Sequence, residues 1–220
     1  MAVYLFDFDG TIADSFPLAC DLLLKNAKYL RCKQLSLAEI AQLKEMDVRE
    51  IVQYFQIPLW RIAGFVKKLR KLGNERIDEV KIFPEWLSIL KTLKENKHEL
   101  GIVSSNSLKT IKALLIKNNL YQLFDSIHCG ASLFGKKKQL KKIITQRGFN
   151  PNDTYYIGDE VRDIEAAQAN NIHTIAVSWG FNSINRLKLA KPEYLIENIN
   201  QLQSLLINSD FKCDFLKLTN

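Results

Sequence analysis

The sequence predicts an α/β fold: a parallel sheet flanked by helices, with an all-helical segment inserted after the first strand. Three observations predict it. From residue 84 onward short apolar strands alternate with helical patterns, which requires right-handed crossovers and therefore parallel pairing. Between the first strand and Phe83 the apolar spacing is helical throughout, with no strand. Polar clusters at Asp7 with Asp9, at Ser104 and at Asp159 each follow a predicted strand, where ligands gather in such sheets.

The first strand is Val3 to Phe6, continued by Phe8, rich in β-formers and free of turn formers. Asp7 interrupts this apolar run and Asp9 closes it, just before Gly10, which permits a sharp turn. Strand side chains alternate, so Asp7 and Asp9 start on one face at the strand's rim. Two carboxylates that close repel unless a cation lies between them or one is protonated. An acidic strand-end turn is the plain structural alternative, since Asp-Gly pairs are common in turns. A buried strand gains no stability from such a pair, and the arrangement reads as chemistry.

In the insert, Phe16, Ala19, Cys20, Leu23, Leu24, Ala27 and Leu30 recur at amphipathic helical spacing. Ser36 with Glu39 forms a capping box before Ile40 and Leu43, and Asp47 caps Val48 to Phe55. After Ile57-Pro58 a helix resumes to Leu72 and stops at Gly73-Asn74. The expected division is a core of residues 1–14 and 84–220 and a helical domain of residues 15–83.

Pro84 starts a helix whose buried face is Trp86, Leu87, Ile89, Leu90 and Leu93. Leu100 to Val103 is a strand ending in Ser104-Ser105-Asn106-Ser107, followed by a helix from Leu108 to Asn118 and a weaker strand at Ser126 to Cys129. Lys136 to Arg147 is a helix closed by Gly148. Tyr155 to Ile157 is a strand ending in Gly158-Asp159, with a helix over Ile164 to Asn170. Strands at Thr174 to Val177 and Tyr194 to Ile196 follow, then a last helix over Ile199 to Ile207 and a tail without clear period from Asn208.

With 220 residues, 47% hydrophobic and 25% charged, the chain has ordinary globular composition and room for one domain plus an insert. No run reaches the roughly 18 apolar residues of a membrane span, and the N-terminus enters a strand directly, leaving no signal peptide. Cys20, Cys32, Cys129 and Cys213 are scattered without metal-ligand spacing, which suits a reducing compartment and a cytoplasmic location. The net charge of +7 and pI of about 9.1 come with no nucleic-acid motif. Its lysines and arginines, such as Lys67, Lys68, Arg70, Lys71 and Lys136 to Lys142, spread over helical faces. A general pull on phosphorylated small molecules fits this charge better than specific nucleic-acid binding.

Asp7-Phe8-Asp9-Gly10-Thr11 resembles DxDGT, the nucleophile motif of the haloacid dehalogenase (HAD) superfamily. Ser104, a hydroxyl in a turn by itself, resembles the second motif when read after Gly101-Ile102-Val103. Gly135-Lys136-Lys137-Lys138-Gln139-Leu140, by itself a solvated basic run, resembles the third; Lys136 matches Gly-Lys with an apolar residue four further on, and Lys137 is the alternate. Gly158-Asp159-Glu160-Val161-Arg162-Asp163 resembles the fourth, GDxxxD, with Glu160 and Arg162 equally readable as a surface pair. Ala176 to Ser183 is similar to the segment that follows in the phosphoglycolate phosphatase-like branch, with Trp179 and Phe181 as packing residues.

The resemblance implies a Rossmann-like HAD core with a type 1 cap formed by the helical insert. It also implies a Mg²⁺-dependent phosphatase acting on a small phosphorylated metabolite, as a monomer or homodimer. In the implied site Asp7 is the nucleophile, Asp9 the acid/base, and Ser104 and Lys136 donate to the phosphoryl group. Ser105 and Asn106 line the substrate, and Asp7, Asp9, Asp159 and Asp163 surround the metal, an oxygen set that suits Mg²⁺. A phosphomutase or phosphotransferase shares the same core, and a non-catalytic phospho-ligand binder shares the same pocket; both stand as alternatives. A dehalogenase needs neither Asp9 nor the Asp159/Asp163 pair.

Overall fold

The structure, a computed structural model, describes residues 1–130 and 135–207. Six parallel strands form one sheet in the order β5-β4-β1-β6-β7-β8. They are β1 (Val3–Phe6), β4 (Glu99–Val103), β5 (Ser126–His128), β6 (Thr154–Gly158), β7 (His173–Val177) and β8 (Tyr194–Ile196). The expected fold class is the observed one, and β1 lies in the middle, paired with β4 on one side and β6 on the other.

The alternation expected of β1 is seen in its two cores. Tyr4, Phe6 and Phe8 join the larger cluster, with Trp86, Ile89 and Leu93 of α5 (Trp86–Glu95) and Ile111 and Leu115 of α6 (Leu108–Lys117). Val3 and Leu5 join the opposite cluster, with Leu140, Ile143 and Ile144 of α7 (Lys136–Arg147) and Ala166 and Ala167 of α8 (Val161–Gln168). Asp7 continues the odd-numbered series toward α7 and α8. Gly148 closes α7 at φ +66°, as expected of a helix C-terminus. The fold is completed by α9 (Ile184–Leu189) and α10 (Ile199–Ile207).

The insert departs from expectation in three places. A two-stranded antiparallel ribbon, β2 (Ala13–Asp14) and β3 (Lys81–Ile82), pairs its two ends where no strand was expected. Two residues per strand are too few to show a period of two. Along α1 (Phe16–Leu30), Leu18 and Leu22 are buried although the expected stripe omits them, while Phe16, Ala19, Leu23 and Leu24 are half-buried. The helix lies between two apolar clusters: Leu18 and Leu22 join the larger core, whereas Leu23 and Leu24 pack on a separate one of Leu35, Leu43, Phe55 and Ile57.

The last helix of the insert begins at Ile62, after a 3-10 turn at Leu59–Arg61, and α4 (Ile62–Glu75) runs through Gly73 instead of stopping there. Leu22 Cδ1 lies 3.8 Å from where a Gly73 Cβ would stand, so neither turn geometry nor crowding dictates that glycine. The caps of α2 (Leu37–Leu43) and α3 (Val48–Tyr54) are Ser36 and Asp47 as read; Ser36 closes the expected capping box with Glu39, and Asp47 closes one with Glu50 that the sequence reading did not include. In the core, α5 starts two residues after Pro84, and α8 starts three residues before Ile164, inside the GDxxxD segment. Among the described residues no helix is long and apolar enough to cross a membrane. The tail from Asn208, Cys213 included, lies outside the described residues.

Candidate active site

The site forms at the carboxyl ends of β1, β4 and β6. Asp7 follows β1, its amide donating to Ile157 O at 2.8 Å, so the backbone is still held by the sheet where the carboxylate begins. Phe8 N donates to Asp7 Oδ1 at 2.8 Å, and Lys136 Nζ stands 2.8 Å from Asp7 Oδ2. The same ammonium pairs with Asp163 Oδ1, and its charge lies 5.7 Å from the Tyr156 ring centre. Lys136 is buried at the first turn of α7, where its anionic partners answer the unfavourable helix dipole; Lys137 is exposed. The geometry thus brings Lys136, and not Lys137, to Asp7.

Burial pushes the Asp7 carboxyl up to about 7, against the opposing pull of Lys136. Lys136 is held charged: desolvation lowers its pKa, but Asp163 and Asp7 outweigh that and raise it. Asp9, half-buried at the turn, receives both hydrogen bonds of the Asn106 amide, at 3.2 Å to Oδ1 and 3.0 Å to Oδ2. Burial nevertheless raises its pKa, with Asn106 working the other way. Asn106, expected to line the substrate, therefore also orients Asp9. Ser104 is fully buried and its Oγ accepts from Asn106 N at 3.0 Å, which leaves the hydroxyl proton for another acceptor. Ser105 lines the adjoining cavity beside Asp9 and Asn106.

Asp159 sits in a tight cradle. Thr11 Oγ1 donates to its Oδ1 at 2.7 Å, and Phe181 N donates to its Oδ2 at 2.7 Å. A Cβ on Gly10 (φ +79°) would stand 2.2 Å from Asp159 Oδ2, and one on Gly180 would stand 2.1 Å from it. Both positions exclude any side chain for a reason no local signal reveals, although Gly180 belongs to a segment picked out in the sequence. Gly180→Ala is expected to destabilise the protein by about 1–3 kcal/mol or more through overpacking, read as a lower urea midpoint. Trp179, expected only to pack, also donates its indole N–H to Thr11 O at 3.1 Å, and Trp86 donates to the same carbonyl at 3.2 Å. Phe181 packs as expected, edge-on to Phe16 at 5.3 Å.

Asp163 uses one oxygen on Lys136 and accepts from Glu160 N at 3.1 Å with the other. Its side chain comes within 2.5 Å of where a Gly158 Cβ would be, so the glycine before Asp159 makes room for it. Glu160, left outside the expected set, pairs with Arg162 and contributes to the acidic cluster. One carboxylate oxygen each from Asp7, Glu160 and Asp163 lie within 4.8 Å of one another. Lys136 and Arg162 do not balance Asp7, Asp9, Asp159, Glu160 and Asp163. Burial, then Glu160 and Asp7, accordingly drive the Asp159 pKa well above the carboxylate range. An all-oxygen donor set with surplus negative charge fits a hard divalent cation such as Mg²⁺.

Asn182, buried behind Asp159, ties the site to the helical insert. Its Oδ1 accepts from Val161 N at 2.9 Å, and its Nδ2 donates to Lys44 O at 3.2 Å and Met46 O at 2.9 Å. Arg186 adds contacts to Asp47 (3.0 Å) and Glu50 (2.8 Å). Asn182→Ala leaves a buried backbone N–H at the start of α8 without its acceptor, and an expected loss of about 1–3 kcal/mol follows, checked by denaturant unfolding.

Residues 4–177 match the family described as haloacid dehalogenase-like hydrolase. The chain belongs to that family. It is 31% identical over 202 residues, 92% of its length and 95% of the relative's, to a phosphoglycolate phosphatase of Synechococcus elongatus. It is 23% identical over 208 residues to the pyrophosphatase PpaX of Bacillus mycoides, covering 92% of this chain and 95% of that one. A haloacid dehalogenase-like hydrolase of Streptococcus pneumoniae superposes with a TM-score of 0.76 at 19% identity, over 93% of this chain and 97% of the other, which shows the shared fold. Within the HAD superfamily the chain stands in the phosphoglycolate phosphatase-like branch, and it is a phosphoric monoester hydrolase.

Proposed function

We propose that this HAD hydrolase is a Mg²⁺-dependent phosphatase that hydrolyses a small phosphomonoester through an aspartyl-phosphate on Asp7. The observation that carries the reading is the buried pairing of Asp7 with Lys136 amid more carboxylates than local cations can balance. Asp7 attacks phosphorus in line, displacing the alcohol, and water then cleaves the acyl-phosphate. Asp9 protonates the leaving oxygen and afterwards takes the proton of the attacking water, a role that its raised pKa and the Asn106 clamp support. Lys136 and the Ser104 hydroxyl donate to phosphoryl oxygens where negative charge gathers.

Asp7, Asp159, the Asp9 carbonyl and the acidic side of Asp163 would hold Mg²⁺, with Glu160 beside them. When bound, it supplies neutralisation of phosphoryl charge. Thr11 and Phe181 N keep Asp159 aimed, and Asp163 keeps Lys136 in place. Residues 15–83 act as a cap over a core of 1–14 and 84–220, excluding water when docked through Asn182 and Arg186. The free thiols of Cys20, Cys32 and Cys129 suit a cytoplasmic setting.

The test is release of inorganic phosphate from p-nitrophenyl phosphate. Turnover is expected with Mg²⁺, to vanish with EDTA and to return on adding excess Mg²⁺. Rapid-quench peptide mapping is expected to recover phosphate on the peptide carrying Asp7. Full activity in EDTA would overturn the Mg²⁺ dependence, and phosphate found only on an acceptor alcohol would overturn hydrolysis in favour of transfer.

A further inference from the structure

We infer that the alcohol part of the substrate is an apolar group of several carbons, housed in a cavity between the insert and the sheet. This rests on the phosphatase reading and specifies its substrate class. A cavity of about 310 Å³ opens beside Asp9, Ser105 and Asn106 and runs under the helical insert. Its volume is at the lower end of those that enclose organic ligands. Asp9, Ser105 and Asn106 make the walls polar beside the phosphate site, whereas the insert contributes mainly apolar side chains, among them Leu23, Leu43, Val52, Phe55, Phe65 and Leu69.

A second observation agrees with this division. Helices α3 and α4 each carry apolar residues at helical spacing, yet neither has a buried residue. Ile51, Val52 and Phe65 pack in part on the insert's own core and Leu69 on the larger one, yet these four and Val66 remain only half-covered, because their other sides line the cavity. An amphipathic helix ordinarily buries that stripe. An apolar leaving group would cover it, whereas a two-carbon carboxylate would set a charge against hydrocarbon. Arg70, expected on a helical face among spread cations, lines the cavity, where desolvation lowers its pKa and the Asp9 carboxylate works the other way. It thus accompanies the phosphoryl end and leaves the insert's remaining wall mainly apolar.

The test uses the full-length protein with Mg²⁺ and n-alkyl phosphates from methyl to octyl, beside 2-phosphoglycolate and p-nitrophenyl phosphate. The expected kcat/KM rises about two- to fourfold per added methylene until the cavity is filled, the upper figure being full burial of each CH₂. Val52→Trp, which narrows the apolar part, is expected to cut the octyl-to-methyl ratio at least about tenfold on the same per-methylene scale. A flat alkyl series, or 2-phosphoglycolate turned over faster than every alkyl ester, overturns the inference. Binding of methyl- to octylphosphonate to Asp7→Asn, by calorimetry, gives a readout independent of turnover and of whether Val52→Trp folds. Affinity rising with chain length supports the cavity assignment, and constant affinity overturns it. If no ester is hydrolysed, p-nitrophenyl phosphate included, the phosphatase reading falls and the phosphonate series alone decides what the cavity binds.

Discussion

Asp7→Asn is expected to lower kcat by about ten-thousandfold or more, as removal of an attacking group does elsewhere, with the fold retained. An amide keeps the shape and still accepts from Phe8 N, but offers no nucleophilic oxygen. Lys136 keeps its pair with Asp163, so no buried cation is stranded. The sign of the stability change follows from the carboxyl's raised pKa of about 7. A folded-state pKa above the unfolded value disfavours the ionised form in the fold, so this group lowers stability as pH rises from about 4 to about 7. In metal-free buffer at pH 8 the Asn variant should therefore unfold no earlier than the native chain. Steady-state hydrolysis with urea unfolding checks both halves, and native-like turnover by the folded variant would remove Asp7 from the nucleophile's role.

Lys136→Met should be the most damaging single change to stability near the site. It strands Asp7 and Asp163 in the interior, and breaking a buried pair from one side costs about 3–5 kcal/mol. Loss of the donor facing the phosphoryl group should also lower kcat by about a hundred- to a thousandfold. Lys137→Ala, one residue on and exposed, is expected to stay within about 0.5 kcal/mol of the native chain. Urea midpoints and phosphate release for the two variants separate the neighbours. Should the Lys137 variant carry the damage instead, the assignment of the lysine is wrong.

The contrast between these neighbours marks what a linear reading can reach. Alternation along Val3, Leu5 and Asp7 already placed the first carboxylate on a defined face. The GDxxxD segment likewise announced two further acids, and the GKxxxL resemblance favoured Lys136 while leaving Lys137 as the alternate. Missing were the partners that make those residues work. Asn106 holds Asp9 across 97 positions, and Thr11 holds Asp159 across 148. Gly180 looks like any turn glycine until Asp159 is seen where its Cβ would go. The β2–β3 ribbon is too short to leave a period, and Leu18 and Leu22 escaped the α1 stripe because that helix serves two cores.

The sequence by itself determined the alternation of strands and helices, the site's position at the strand ends, and the chemical kind of its principal groups. Hydrophobic period and turn chemistry are local, and they are written residue by residue. Only the tertiary structure decided which lysine meets Asp7, that Glu160 joins the acidic cluster, and that α3 and α4 turn apolar faces toward a cavity. Those outcomes depend on the packing of segments far apart in the chain, where burial and charge act through space and no short stretch of residues records them.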